Sequence, residues 1–182
     1  GFGVWKSEAQ ENKVTLTQAL LSNGEFSKGL YTRKELSQKL NNKAQFNESE
    51  LIAVANQNWT RDWEALKCTE LNLLHVNQYS QMFHLVDIGR ADVFPLTFSA
   101  KPSLERNVFG ITLYPIKDIK IPIDDSLHFA IANKLDTSNE LKQALDNGMA
   151  ILRQKGEIRA VYQSLGITNS KVEDWQKLGC YQ

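Results

Sequence analysis

The chain of 182 residues lacks the features by which several large classes of protein are recognised. Its 21 lysines and arginines balance 21 aspartates and glutamates, so no surplus of positive charge favours nucleic acid or an anionic membrane surface. No apolar run approaches the roughly 20 residues that span a bilayer. We therefore expect neither nucleic-acid binding nor direct insertion into a membrane.

Groups for covalent or metal chemistry are also scarce. Two cysteines, Cys68 and Cys180, are too few for a disulfide scaffold, and their spacing does not show whether they pair. His84 and Asp87 share one face of a predicted helix, but a metal site needs three or four ligands. The chain has no nucleophile elbow, phosphate-binding glycine loop or Cys-x-x-Cys motif. The sequence therefore predicts no metal, no cofactor and no catalytic residues.

What the chain does contain is an alternation of strand-like and helix-like hydrophobic periods. This pattern predicts an α/β fold with mostly parallel strand pairing. Strands are predicted at residues 2–5, 51–55, 71–76, 91–95, 111–115 and 127–131, with an extended crossing segment at 26–32. Helices are predicted at residues 33–40, 58–67, 78–88, 141–152 and 158–165.

A polar loop follows the predicted strand 51–55 and leads into a helix. Asn58 or Thr60 can cap that helix through its side chain, which would leave Trp59 as a packing residue. The same side chains, together with the open N–H groups of the helix start, can instead bind an anionic or polar ligand. Both interpretations stay open from the sequence.

A Gly-Arg-Ala-Asp turn ends the helix 78–88. Gly89 permits the positive φ that ends a helix. The Arg90 side chain can donate hydrogen bonds to the last carbonyls of the helix, and the Asp92 carboxylate can accept hydrogen bonds from N–H groups of the turn. We therefore expect substitution of Asp92 to harm folding more than ligand affinity.

The order of these segments resembles the second half of an extracytoplasmic solute-binding protein of the type II periplasmic-binding fold, the amino-acid type used by ABC transporters. Residues 51–92 match the strand, polar loop, helix, strand, helix and Gly-Arg-x-Asp turn of that family's second lobe. Residues 129–166 resemble the return to the first lobe, residues 3–14 its end, and residues 28–31 the first hinge crossing. The resemblance covers nearly the whole chain.

The resemblance implies two lobes that close around a ligand. It assigns residues 1–25 to the end of lobe 1, 26–126 to lobe 2, and 127–182 to the return into lobe 1 with the C-terminal helices and tail. Residues 26–32 and 122–130 would be the hinges. The family has roughly 80 or more residues of first lobe before this point, about a small domain. This predicts either a fragment or a naturally shortened chain whose first lobe is completed by another chain, and the start that is not Met favours a fragment.

The function implied by the resemblance is capture of a small polar or aromatic solute in the periplasm or outside the cell of a bacterium, with an ABC permease as partner. No cofactor is implied. The ligand-binding residues implied by the resemblance are Trp5, Lys6, Ser7, Asn58, Trp59, Thr60, Arg61 and Thr97. Trp5 follows an apolar strand, where a tryptophan is at least as often part of the core.

Two positions depart from the amino-acid binders of the family. Gln10 stands where an arginine usually holds the ligand carboxylate. Thr97 stands where an aspartate usually meets the ligand ammonium. We therefore expect a neutral or aromatic solute, or a ligand-free sensory or degenerate domain, rather than a standard α-amino acid, unless Lys6 or Arg61 supplies a substitute charge.

Two other functions stay open. The same fold can serve as the sensory domain of a membrane receptor, in which closure of the two lobes is transmitted to a partner and no solute is delivered. It can also carry an enzyme such as a dehydratase, which needs an acid–base pair in the cleft. Glu8 and Glu11 near Lys6 resemble such a set, although charge on a solvated turn explains them equally well. Fold alone does not establish catalysis.

The resemblance also bears on the cysteines and on assembly. An oxidising periplasm would permit a Cys68–Cys180 bridge that ties the tail to the body, with two separate thiols as the alternative. The helices 141–152 and 158–165 would normally pack on a complete first lobe, so we expect exposed apolar surface on them. A homodimer that exchanges elements would cover it.

Overall fold

The computed structural model describes residues 3–10 and 13–180, which form a mixed α/β fold, as predicted. The strands are β1 (Gly3–Trp5), β2 (Val14–Leu21), β3 (Ser27–Thr32), β4 (Ile52–Ala55), β5 (Asn72–His75), β6 (Phe94–Thr97), β7 (Arg106–Val108), β8 (Ile111–Pro115), β9 (Ile119–Pro122), β10 (Leu127–Ala132) and β11 (Gln176–Lys177). The helices are α1 (Lys34–Leu40), α2 (Thr60–Lys67), α3 (Tyr79–Asp87), α4 (Ser138–Gln154) and α5 (Glu157–Leu165).

All five predicted helices are present, whereas the predicted strands are incomplete. Strands β2, β7, β9 and β11 were not predicted. Strand β6 begins later than expected, because the N–H of Ala91 still bonds to the carbonyl of Leu85 at the end of α3. Phe2, the expected first residue of β1, lies outside the described residues. None of the described helices is long and apolar enough to cross a membrane.

The described strands form sheets of six, three and two strands. The three-stranded sheet, which we call the smaller sheet, has the order β1-β10-β2 and is antiparallel throughout. The larger body is centred on β3, which pairs antiparallel with β6, β8 and β9. Strand β4 pairs parallel with β5, and a parallel bridge from Ala53 to Val93 places β4 beside the start of β6.

The prediction of mostly parallel pairing is wrong for the described strands. Parallel pairing is confined to β4 with β5, the Ala53–Val93 bridge, and β9 with β11. The reason is that β3 crosses the middle of the larger sheet in the opposite direction, and that β7 and β8 form a hairpin. Within the described residues, the β4-α2-β5-α3-β6 segment has the helical crossovers that parallel neighbours require.

The core of the larger body lies on both faces of its sheet. Successive residues Leu30 and Tyr31 of β3 are fully buried in separate clusters, as the two-residue period of a strand requires. Met82, Phe83 and Val86 of α3 are also fully buried, and they pack in the cluster that contains Tyr31. The helical stripe predicted for α3 is therefore its core-facing side.

The Gly-Arg-Ala-Asp turn ends α3 as predicted, but in the described part of the chain Arg90 and Asp92 do not form the predicted hydrogen bonds. Gly89 has φ of 73°, and its N–H bonds to the carbonyl of Val86. Arg90 is exposed, and among the described residues its side chain makes no hydrogen bond to the helix carbonyls. Asp92 accepts the N–H of Ile52 at 2.9 Å and lies 4.0 Å from the guanidinium of Arg33. Asp92 therefore fixes the start of β4 rather than the turn itself.

We expect Asp92→Ala to lower the free energy of unfolding by about 1–3 kcal/mol, because it removes the acceptor of a strand N–H and the partner of Arg33. Urea unfolding measures the loss. Asp87→Ala is the control, since this exposed carboxylate should change stability by no more than about 0.5 kcal/mol. A fully stable Asp92→Ala protein that no longer binds ligand would show that the turn serves the site instead.

The tail after α5 packs on the larger body. Strand β11 adds to the edge of β9, and the N–H of Leu178 bonds to the carbonyl of Lys120. Cys180 is joined to Cys68, the residue that ends α2, in the disulfide that the resemblance implied. The tail is therefore tied covalently and by strand pairing to the same body.

The return helices lie on the smaller sheet. On α4, Asp146 accepts the N–H of Gln18 in β2 at 2.6 Å. The expected exposed apolar surface is confirmed, with exposures between 39% and 57%. Its residues are Leu141, Ile151, Leu152, Val161 and Leu165. A homodimer that covers this surface stays a prediction.

Candidate functional site

Three strand ends meet at one edge of the larger body. Because β4 pairs parallel with β5, and Ala53 pairs parallel with Val93, the carboxyl ends of β4, β5 and β6 lie side by side. Trp59 follows β4, Tyr79 follows β5, and Thr97 is the last residue of β6. Ligands of open α/β sheets bind at such an edge.

A cavity of about 310 Å³ opens at this edge, and we call it the strand-end cavity. The rings of Trp59 and Tyr79 line it with centroids 5.9 Å apart at 57°, and Pro95 and Leu96 also contribute to its wall. Burial raises the pKa of Tyr79 and the nearby Arg106 opposes the shift, so the phenol remains neutral at physiological pH. One wall is therefore aromatic and apolar, which suits a flat ring.

The remaining wall of the strand-end cavity is charged. Lys28 and Asp62 form an ion pair of 2.5 Å, with each side chain 14% exposed. Arg106 donates from Nε to the carbonyl of Thr97 and from Nη2 to that of Phe98, which fixes its guanidinium beside the cavity. Since Lys28 and Asp62 neutralise each other, the wall keeps one positive charge, which favours a ligand with an anionic group.

The start of α2 forms part of this cavity. Of the two interpretations of Asn58 and Thr60, helix capping is wrong, because Trp59 occupies the cap position and no side chain of the described residues accepts a helical N–H there. The side chain of the buried Asn56 instead accepts the N–H of Asn58 at 2.9 Å and donates to the carbonyl of Asn77. The side-chain amide of Asn56 is therefore used in the turn before the helix. Within residues 3–10 and 13–180, the first N–H groups of α2 therefore have no side-chain acceptor, and they lie beside the cavity.

The residues predicted in the first lobe are only partly available to a ligand. Trp5 stacks on Phe26 with centroids 6.2 Å apart at 26°, so one face of its ring is already covered. Lys6 is exposed. The hydroxyl of Ser7 donates to the carboxylate of Asp125.

Arg61 connects this region to the start of α2. Its Nε lies 3.8 Å from Glu8 and 3.9 Å from Asp125, whose side chain is 6% exposed. The same Nε is buried and has no hydrogen-bond partner among residues 3–10 and 13–180. We call Ser7, Glu8, Arg61 and Asp125 the Arg61 cluster. A buried donor without an acceptor is costly, so a ligand oxygen would stabilise this cluster.

The comparisons with known proteins place the fold. No protein-family model matches the chain, and no curated protein does. The probable amino-acid ABC transporter extracellular-binding protein ytmK of Bacillus subtilis superposes with a TM-score of 0.62 at 11% identity, over 90% of this chain and 68% of that one. The BvgS periplasmic VFT2 domain of Bordetella pertussis gives 0.59 at 12% identity, over 90% and 65%. Substrate-binding domain 2 of GlnP from Lactococcus lactis, in its open conformation, gives 0.57 at 15% identity, over 91% and 66%.

The chain has the type II periplasmic-binding fold. Identities of 11–15% establish the fold and not the ligand. The chain spans 65–68% of the length of these three structures. The similarity therefore does not show that it has the activity of a whole protein of this fold.

Within this type II fold, the predicted site residues fall into separate groups. Trp59 and Thr97 line the strand-end cavity, while Ser7 and Arg61 belong to the Arg61 cluster. The remaining predicted residues are Asn58 and Thr60, exposed at the start of α2, the exposed Lys6, and Trp5 on Phe26.

Sequence reasoning missed several residues that line the strand-end cavity, namely Lys28, Asp62, Tyr79 and Arg106. Tyr79 could have been found, because it follows β5 as Trp59 follows β4. The three charged residues come from β3, α2 and β7, and no local motif connects them. No three histidine, cysteine, aspartate or glutamate side chains form a metal-like group in the described part of the chain.

Proposed function

We propose that this protein captures a small polar or aromatic solute between two lobes of the type II fold. Residues 26–126 form one lobe in this proposal, and residues 1–25 and 127–182 supply the part of the other lobe and the tail. The observation that carries the proposal is the strand-end cavity, which combines the aromatic pair Trp59 and Tyr79 with the open start of α2. The similar solved structures include a probable amino-acid ABC transporter extracellular-binding protein, which supports this use of the fold.

The charges of the cavity support an aromatic carboxylate over a standard amino acid. Arg106 and the start of α2 offer positive potential to a carboxylate. An α-ammonium would need a free carboxylate, yet Asp62 is held by Lys28 and Thr97 carries no charge. The aromatic wall suits the ring of such a ligand.

Closure would add a second set of contacts. The proposed binding residues are Asn58, Trp59, Thr60, Arg61 and Thr97 from one lobe, and Trp5, Lys6 and Ser7 from the other. Arg61 contacts Glu8 and Asp125, and this is the kind of contact that a closed cleft needs. Residues 26–32 and 122–130, which include Asp125, are the proposed hinges.

An extracytoplasmic location is part of the proposal. The Cys68–Cys180 disulfide supports an oxidising compartment, where such bonds persist. The partner would be an ABC permease that receives the solute.

A thermal-shift screen followed by calorimetry tests the proposed function, with the proteinogenic amino acids, aromatic carboxylates and aromatic amides as probes. We expect an aromatic carboxylate to raise the melting temperature, and Trp59→Leu to weaken its binding about tenfold through loss of ring stacking. Phe109→Leu is the control, since this ring contacts Tyr79 but does not line the cavity. If no probe binds, or both variants weaken binding equally, the strand-end cavity is not the site.

Sensing is a second candidate function, favoured by the similarity to the BvgS periplasmic VFT2 domain. Both functions need the same captured ligand, but they differ in the partner. A delivery protein would support uptake of the ligand by a permease in reconstituted vesicles. A sensory domain would instead alter the activity of a receptor to which it is joined.

Catalysis is less well supported than binding. Glu8, one member of the suggested acid–base set, lies 3.8 Å from Arg61, and Glu11 lies outside the described residues. Within the described residues, the Lys6 side chain makes no hydrogen bond or ion pair. Conversion of a bound aromatic carboxylate to a new product, followed by mass spectrometry, would establish an enzyme.

A further inference from the structure

A second cavity lies apart from the strand-end cavity, and we call it the tail cavity. Its volume is about 530 Å³, and it is bounded by α5, by the connection between β2 and β3, and by the tail after α5. Four cationic side chains and two carboxylates line it, which leaves a surplus of two positive charges. They are Lys120, Arg153, Arg159 and Lys177, with Glu25 and Glu173.

The cationic side chains of the tail cavity differ in how many of their donors already form hydrogen bonds within the protein. Arg153 donates Nη2 to two carbonyls of β2. Lys120 is 7% exposed and donates to the carbonyls of Val172 and Glu173 at 2.7 and 2.6 Å. An ammonium has three donors, so one N–H of this buried cation remains. Arg159 makes no hydrogen bond or ion pair with the described residues, and all its donors are open.

A buried hydroxyl in the same wall also lacks a partner. The Oγ1 atom of Thr168 is buried, and no described residue bonds to it. A buried polar atom without a hydrogen bond is unfavourable and uncommon in folded proteins. Burial, and to a smaller extent the Lys177 charge, also lowers the pKa of Lys120 and so disfavours its charged form. An anion in the cavity would accept a hydrogen bond from the Thr168 hydroxyl and would stabilise the charged form of Lys120.

We propose that the tail cavity binds a small polyvalent oxyanion, with carboxylate or phosphate groups, independently of the strand-end cavity. Arg159 would hold one group bidentately, the third N–H of Lys120 would meet a second, and the Thr168 hydroxyl would donate to an anion oxygen. Arg159 and Thr168 lie on α5 and just after it, whereas Lys120 lies on β9 of the larger body. The anion would therefore bridge the return helices and the larger body and stabilise their arrangement.

Calorimetry and thermal unfolding with citrate and with pyrophosphate test this site, at constant ionic strength set with sodium chloride. We expect at least one of the two anions to bind and to raise the melting temperature, and Arg159→Gln to weaken that binding at least tenfold. Arg90→Gln is the matched control, because it removes an exposed arginine outside the cavity and changes net charge equally. Binding of citrate alone would identify a carboxylate site, and binding of pyrophosphate alone a phosphate site.

Thr168→Val separates binding from stability. Without anion the variant should unfold at the same or a higher temperature, because it removes an unpartnered buried hydroxyl. It should nevertheless bind the anion several-fold more weakly. Failure of both anions to bind at millimolar concentration, or equal losses in Arg159→Gln and Arg90→Gln, would overturn the proposal. Trp59→Leu should leave anion binding unchanged, so this test and that of the proposed function fail separately.

Discussion

Replacing Cys68 and Cys180 together by serine is expected to lower the free energy of unfolding by about 3–5 kcal/mol. The disulfide joins residues separated by 112 positions. In the loop-entropy account, a cross-link around a loop of about 100 residues disfavours the unfolded chain by about 4.7 kcal/mol. The folded chain also loses the covalent link between the end of α2 and the tail. Urea unfolding at neutral pH measures the loss.

Two controls show whether the bond itself is responsible. Cys68→Ser alone opens the bridge and should cost as much as the double variant. The wild-type protein with its disulfide reduced should match both. An unchanged unfolding midpoint in all three would mean that β11 and the buried Leu178 hold the tail without the bond.

Local patterns in the sequence predicted the helices well. The stripe of Met82, Phe83 and Val86 predicted α3 because a helix face is set by residues three and four apart. Strand β2 was missed because it is held by distant β10, where Thr15 pairs with Ile131. Strand β11 has two residues and exists only through β9. Such strands depend on neighbours that no local window contains.

The start of α2 shows why the sequence left helix capping open. Several residues in this loop have side chains that can accept an N–H, and the sequence alone does not rank them. The fold decides, because Asn56 is buried and donates to the carbonyl of Asn77 from the next loop. Its oxygen then accepts the N–H of Asn58, and no side chain in the described part of the chain caps the helix itself.

The candidate site was predictable only where it follows chain order. The resemblance implied Trp59 and Thr97, and both line the strand-end cavity because the carboxyl ends of the parallel strands meet there. The Lys28–Asp62 ion pair joins residues 34 positions apart across β3 and α2. Arg106 reaches the cavity because it bonds to backbone carbonyls of β6 and the residue after it. The proposed ligand chemistry rests on these charges, yet their proximity is a property of the tertiary fold.

Gly166→Ala is expected to lower the free energy of unfolding by about 3 kcal/mol or more, whereas Gly156→Ala should cost about 1–2 kcal/mol. Both glycines flank α5 and have nearly equal φ angles, 73° and 74°. They differ in their surroundings. A Cβ on Gly166 would lie 2.0 Å from the carbonyl oxygen of Phe98, while a Cβ on Gly156 would meet nothing within 4 Å. The backbone strain is therefore shared, and only Gly166 adds a collision with the larger body.

The difference in unfolding free energy between the two variants measures how closely the end of α5 packs on the larger body, and urea unfolding of both variants gives it directly.

The substitution also affects the strand-end cavity, because the same carbonyl of Phe98 accepts a hydrogen bond from Nη2 of Arg106 beside that cavity. Gly166→Ala must displace that carbonyl or the end of α5. We therefore expect it to weaken binding of an aromatic carboxylate as well, with no such effect in Gly156→Ala. Equal stability losses in the two variants would mean that the end of α5 does not pack against Phe98 in solution.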